Sequence, residues 1–94
     1  MDDTYIYCIS YDLSKPDRTY EELYSAIKSF GTWWHQTGSV WFIKATSTDS
    51  SVIREFLKQH INKGDKLFVI RVDKNWAGSG FSKDEYDWLH KNLK

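Results

Sequence analysis

The sequence holds a single cysteine, Cys8, and a single proline, Pro16. One thiol excludes a disulfide within the chain, which suits a reducing, cytoplasmic setting. Charge of one sign is also missing, since 13 basic and 13 acidic residues leave a formal net charge of zero. Non-specific nucleic-acid binding draws on an excess of Lys and Arg, so the balance weighs against it and leaves room only for a local basic patch. No apolar run approaches membrane-spanning length. The acidic opening Met1-Asp2-Asp3-Thr4 lacks the features of a secretory leader, so no membrane association is expected.

What the chain has in plenty is aromatic. Five Trp, six Tyr and five Phe fall within 94 residues, a length that fits one domain over 1–94. One small core cannot hold so many large rings. Some are expected on a partner surface or around a ligand, which predicts a homodimer, with a higher oligomer open, or an aromatic ligand site.

The first regular stretch, Tyr5 to Leu13, is β-branched and aromatic and reads as a strand. Cys8 lies inside it and reads as a small buried hydrophobe. The stretch ends at a lone carboxylate, Asp12, before Ser14, Lys15 and Pro16 break it. An acid there either shapes the turn or places chemistry on a rigid support. Thr19 and Glu22 have the spacing of a capping box. Tyr20, Leu23, Tyr24, Ile27 and Phe30 then recur on one helical face, which predicts a helix near 20–30 with Gly31 as its left-handed end. Thr32 to Gln36 and Val40 to Ala45 read as a hairpin around Thr37-Gly38-Ser39. Val40 and Phe42 share one face, Trp41 and Ile43 the other. With both faces apolar, the sheet is expected to be covered on both, by helices and by a partner. Thr48, Asp49 or Ser50 caps a second helix near 50–62, which carries the stripe Val52, Ile53, Phe56, Leu57 and Ile61. Leu67 to Val72 is a fourth strand. Asp73 to Gly80 is a loop. Ser82 and Glu85 form a capping box, with Phe81 and Tyr86 as its hydrophobic staple, opening a helix near 83–93.

The order β-α-β-β-α-β, followed by a helix, is the ferredoxin-like arrangement of the α+β class. It predicts a four-stranded antiparallel sheet with two helices on one face. The extra C-terminal helix either covers an edge strand or reaches over to a partner.

With these elements placed, the chain resembles the Cas2 family of CRISPR-associated proteins over about residues 5–72, leaving 73–94 as an extra loop and helix. The strand ending Tyr11-Asp12 is similar to the family's first strand. Arg18 stands in the following loop, where the family often carries Arg. Gly31, Gln36 and Ser39-Val40-Trp41-Phe42 look like its glycine, glutamine and Ser-Val-Phe stretch, and Asp65 with Leu67 to Val72 looks like its last core strand. The resemblance implies a ferredoxin-like homodimer. It implies a strand-one acid, here Asp12, linked to divalent metal between subunits and to phosphodiester cleavage, with Arg18 as a phosphate contact. It equally implies a structural role as an adaptor. The neutral charge and the tail from Trp76 to Lys94 depart from the family pattern.

Two copies of Asp12 facing each other across a dimer axis can hold Mg²⁺, a hard cation that prefers oxygen ligands. Trp33, Trp34 and His35 are adjacent and alternate in direction along a strand. They pack a dimer or offer a base-stacking platform. Tyr11 is a further candidate ligand-binding residue. Trp76 with Gly78, Ser79 and Gly80 precedes a helix start, where backbone amides attract anions. A ring there stacks on a base while the turn holds its phosphate. The reading is a small dimeric binding or adaptor protein for a phosphate-bearing ligand, a nucleic acid or a small nucleotide that it sequesters. The alternatives are a Mg²⁺-dependent endonuclease at Asp12, and a dimer that binds only protein.

Overall fold

The computed structural model describes residues 3–15, 20–46 and 48–93. The elements run β1 (Thr4–Asp12), α1 (Glu21–Lys28), β2 (Thr32–Thr37), β3 (Val40–Thr46), α2 (Ser50–Lys58), β4 (Lys66–Val72) and α3 (Lys83–Asn92). The four strands form an antiparallel sheet in the order β2-β3-β1-β4. This is the expected ferredoxin-like topology, with both split connections closed by helices.

The strand alternation decides what each sheet face buries. Tyr7, Ile9 and Tyr11 of β1 stand beside Trp41 and Ile43 of β3. Leu23 and Ile27 of α1 and Ile53 and Leu57 of α2 close over them as the main core. The phenols of Tyr7 and Tyr11 in this core are satisfied. The Tyr7 hydroxyl donates to the Thr48 carbonyl at 2.8 Å and accepts from the Thr48 amide at 3.0 Å. The Tyr11 hydroxyl accepts from Trp41 Nε1 at 3.0 Å.

The second face carries Ile6, Cys8, Ser10 and Asp12, in register with Val72, Ile70, Phe68 and Lys66 of β4. On part of it lies α3. Ile6, Trp34, Leu89 and Leu93 are buried together there, with Phe42, Val72, Trp76, Phe81, Tyr86 and Trp88 around them. The C-terminal helix therefore packs on its own sheet, where it covers the edge strand β2 through Trp34, the first of the two expected placements. Trp34 Nε1 donates to the Glu85 carbonyl at 3.0 Å and pins the helix start.

The helix ends differ from expectation in informative ways. Thr19 lies outside the described residues, and the cap position of α1 falls on Tyr20, which makes no side-chain cap. Gly31 follows α1 at φ +101°. Asp49 caps α2 by accepting from the Ser51 amide at 3.1 Å. That helix stops at Lys58 rather than near 62. The next amides bond three residues back, His60 to Leu57 and Ile61 to Lys58, and the Asn62 amide is drawn away to Asp65 Oδ2 at 2.7 Å. Both halves of the Ser82–Glu85 capping box are present on α3.

Asp65 fastens the loop after β1 to the turn before β4. Its other oxygen accepts from the Ser14 amide at 2.7 Å, from Ser14 Oγ at 2.8 Å and from the Tyr20 hydroxyl at 3.1 Å. Desolvation raises the pKa of this carboxyl, and the bonds from Ser14, Asn62 and Tyr20 outweigh it, holding the group at about 2 against an ordinary 3.8. A folded value below the unfolded one adds stability above the unfolded pKa and loses it as pH falls toward the folded one. Thermal unfolding of the wild type is expected to drop more steeply from about pH 5 downward than that of Asp65→Asn. Parallel profiles would show that the carboxylate contributes nothing.

Candidate functional site

The expected site residues separate into three places. Trp34, Trp76 and Gly78 come together on the second face. They line a cavity of ≈190 Å³ whose other ring walls are Phe42 and Phe81. Trp34 lies stacked on Phe42, ring centroids 5.2 Å apart at 23°, and meets Phe81 at 5.2 Å and 62°. It is only 5% exposed, so it is a fixed wall and not an open stacking platform. Trp76 is half-buried, 5.1 Å from the His90 ring. Gly78 passes so close to Phe81 that an added Cβ would sit 3.4 Å from its ring and 3.5 Å from Tyr86.

Ser79 and Gly80 are exposed and stand outside that lining. The expectation that this turn and the start of α3 hold a phosphate meets amides already engaged. The Glu85 amide donates to Ser82 Oγ at 3.2 Å, and the Ser82 amide to Glu85 Oε1 at 2.7 Å. Asp84 and Glu85 add negative charge to the same turn.

Trp33, His35 and Tyr11 gather on the opposite face around Trp41. The His35 ring stacks on Trp41 at 3.8 Å and 15°, with Nε2 lying 2.9 Å from the Gly38 carbonyl. Trp33 lies 5.3 Å from Trp41 and is 38% exposed, with Lys28 Nζ 5.0 Å over its ring. Tyr11 is buried, and burial pushes its phenol up against the opposing bond from Trp41. Alternation along β2 was legible and sent the two adjacent Trp rings to different layers. Lys28 was not singled out; its place in the last turn of α1, just before β2, was the available signal.

Asp12 ends β1 at an exposed position on the second face, in register with Lys66. Beside it, the part of that face not under α3 presents Phe68, 60% exposed, and Ile70, 46% exposed. Cys8 stands between β3 and β4 on this face, and burial pushes its thiol up, so it stays protonated. Arg18 lies outside the described residues. Among the described residues, no three His, Cys, Asp or Glu side chains converge as a metal site. Asp12 is thus not part of a metal cluster among those residues.

A β2-β3-β1-β4 sheet with two helices on one face defines a ferredoxin-like α+β protein. The family model of the CRISPR associated protein Cas2 matches residues 5–79, and the chain belongs to that family. No curated protein and no solved structure matched the chain. The family match ends before α3 begins. Among the described residues, no helix is long and apolar enough to cross a membrane.

Proposed function

We propose that this Cas2-family chain is a dimeric binding or adaptor protein for a phosphate-bearing ligand whose aromatic base enters the cavity beside α3. The observation that carries this is the set of four rings, Trp34, Phe42, Trp76 and Phe81, around ≈190 Å³. Aromatic faces take nucleobases of any sequence by stacking, which needs no net basic surface. Trp34 and Phe42 are held by the sheet, and Trp76 lies on the loop that admits the base. The wall is thus prearranged on one side and adjustable on the other.

A second reading places Mg²⁺-dependent phosphodiester cleavage at Asp12 and its symmetry mate. It is favoured by the position of Asp12 at the rim of the apolar strip formed by Phe68 and Ile70. Two copies meeting on that strip bring their acids together.

Thermal shift and calorimetric titration with nucleosides, nucleotides and oligonucleotides test the first reading, since a ligand of the native state raises its stability. The wild type is expected to respond to base-bearing ligands. Trp76→Ala is expected to lose ~10-fold or more in affinity, because one stacked base is worth ~1–3 kcal/mol. No response from the wild type to any of these ligands overturns the reading in favour of a protein-interaction dimer.

A further inference from the structure

The aromatic cavity does not stand alone. It opens beside a depression of ≈540 Å³ that shares Phe42, Trp76 and Leu93 with it. That depression adjoins a third pocket of ≈320 Å³, with which it shares Tyr5, Val72, Asp73 and Leu93. Leu93 is in the wall of all three. The three share walls around the C-terminal end of α3 and line up there as a cleft.

The chemistry changes along this cleft. The inner end has four rings. The far end is lined by Lys44, Lys91, Thr4 and Asn92, with Asp73 the one carboxylate lining it among the described residues. Lys44 is placed there by register, because it faces Ile6 across the β1–β3 pair on the face that α3 covers. Lys91 comes from the last turn of α3. Strand and helix thus bring two ammonium groups to one pocket in a chain with no net charge.

Size limits the inner end. Cavities that bury a drug-sized ligand run from about 300 to 1,000 Å³, so ≈190 Å³ admits a ring system and little more. The rest of the ligand must leave through the adjoining depression, toward the lysines. Lysine ammonium groups pair with phosphate as point charges through charge-assisted bonds.

Resting on the base-binding reading above, we infer that the cleft is a mononucleotide site: the base lies among Trp34, Phe42, Trp76 and Phe81, and the phosphate sits between Lys44 and Lys91. Two cations at the end of a short cleft match a single nucleotide. A polymer would gain from many phosphate contacts spread along a track, which the balanced charge does not supply.

The test is calorimetric titration of adenosine, AMP and an oligothymidylate into wild type, Lys91→Gln and Lys44→Gln/Lys91→Gln. Denaturant midpoints check that each variant is folded, and the exposed Lys91 keeps a usable variant should Lys44→Gln unfold. The wild type is expected to bind AMP about tenfold tighter than adenosine, an advantage that shrinks with added salt. Lys91→Gln is expected to lose part of that advantage and the double variant nearly all of it, with adenosine binding unchanged. If AMP binds wild type and double variant alike, the phosphate assignment falls while the aromatic cavity stands. If neither adenosine nor AMP binds the wild type, the base-binding reading itself fails. An oligothymidylate bound far more tightly than AMP overturns the mononucleotide assignment in favour of a polymer.

Discussion

Trp34→Ala is expected to cost ~3–5 kcal/mol of folding stability, measured by the shift of its denaturant midpoint at constant slope. The ring is 5% exposed and lies between the sheet and α3, against Phe42 on one side and Phe81 on the other. Truncation leaves a void between two layers that touch chiefly through this cluster. It also removes the donor that holds the Glu85 carbonyl. A domain of this size has ~5–15 kcal/mol in all, so the variant is expected near the edge of folding at ordinary temperature. Its neighbour is the natural control. Trp33→Ala removes a ring of the same size at a position that is 38% exposed, and its cost is expected to be much smaller. Undocking of α3 also exposes its approach, so trypsin is expected to cut after Lys74 and Lys83 faster in Trp34→Ala than in the wild type. Equal costs for the two substitutions, with unchanged cleavage, would show that α3 does not depend on Trp34.

Phe68→Glu is expected to convert a dimeric wild type into a monomer, read by sedimentation velocity across a concentration series. Phe68 and Ile70 are 60% and 46% exposed, side by side on β4, on the face that α3 leaves open. Each apolar Å² removed from water contributes ~25 cal/mol, so a second copy is a fitting cover. A two-fold contact places every substitution on both sides. Two unpaired carboxylates buried there are expected to raise the dissociation constant ~100-fold or more. The same experiment reaches Asp12. If paired Asp12 side chains hold Mg²⁺ for cleavage, Phe68→Glu and Asp12→Asn are both expected to abolish Mg²⁺-dependent nuclease activity, the first by separating the acids and the second by removing them. A wild type that sediments as a monomer at every concentration, or a Phe68→Glu variant that stays dimeric, would sink the interface.

Much of the fold was legible because it rests on short-range chemistry. The Ser82–Glu85 box and the period-two pattern of β3 act within a few residues and appear as read, and the cap of α2 falls on Asp49, one of the three candidates Thr48, Asp49 and Ser50. The end of α2 was not legible, since it depends on Asp65 pulling the Asn62 amide out of the helical ladder. Nor was the docking site of α3. Tyr86, Leu89 and Leu93 announce an apolar stripe, but the surface it meets exists only once β2, β3, β1 and β4 are ordered side by side. The candidate site suffered from the same distance. The alternation of Trp33, Trp34 and His35 along β2 was legible, but that Trp34 shares a cavity with Trp76, read as a separate feature, was not. Lys44 and Lys91 stand 47 positions apart and meet only through that sheet and helix. Their spacing in the chain carries no hint of it.

The position of α3 sets a gauge for assembly. It fills the second face beside β2 and β3 and leaves the strip along β4 and the end of β1. Two copies that use this strip cannot meet squarely, sheet centre on sheet centre; the helices act as bumpers and force an offset toward β4. In such a dimer the gap between paired Asp12 side chains would be set by the girth of a helix that lies beyond the family match. Lengthening, shortening or unseating that helix would then change the spacing of the acids without touching either of them.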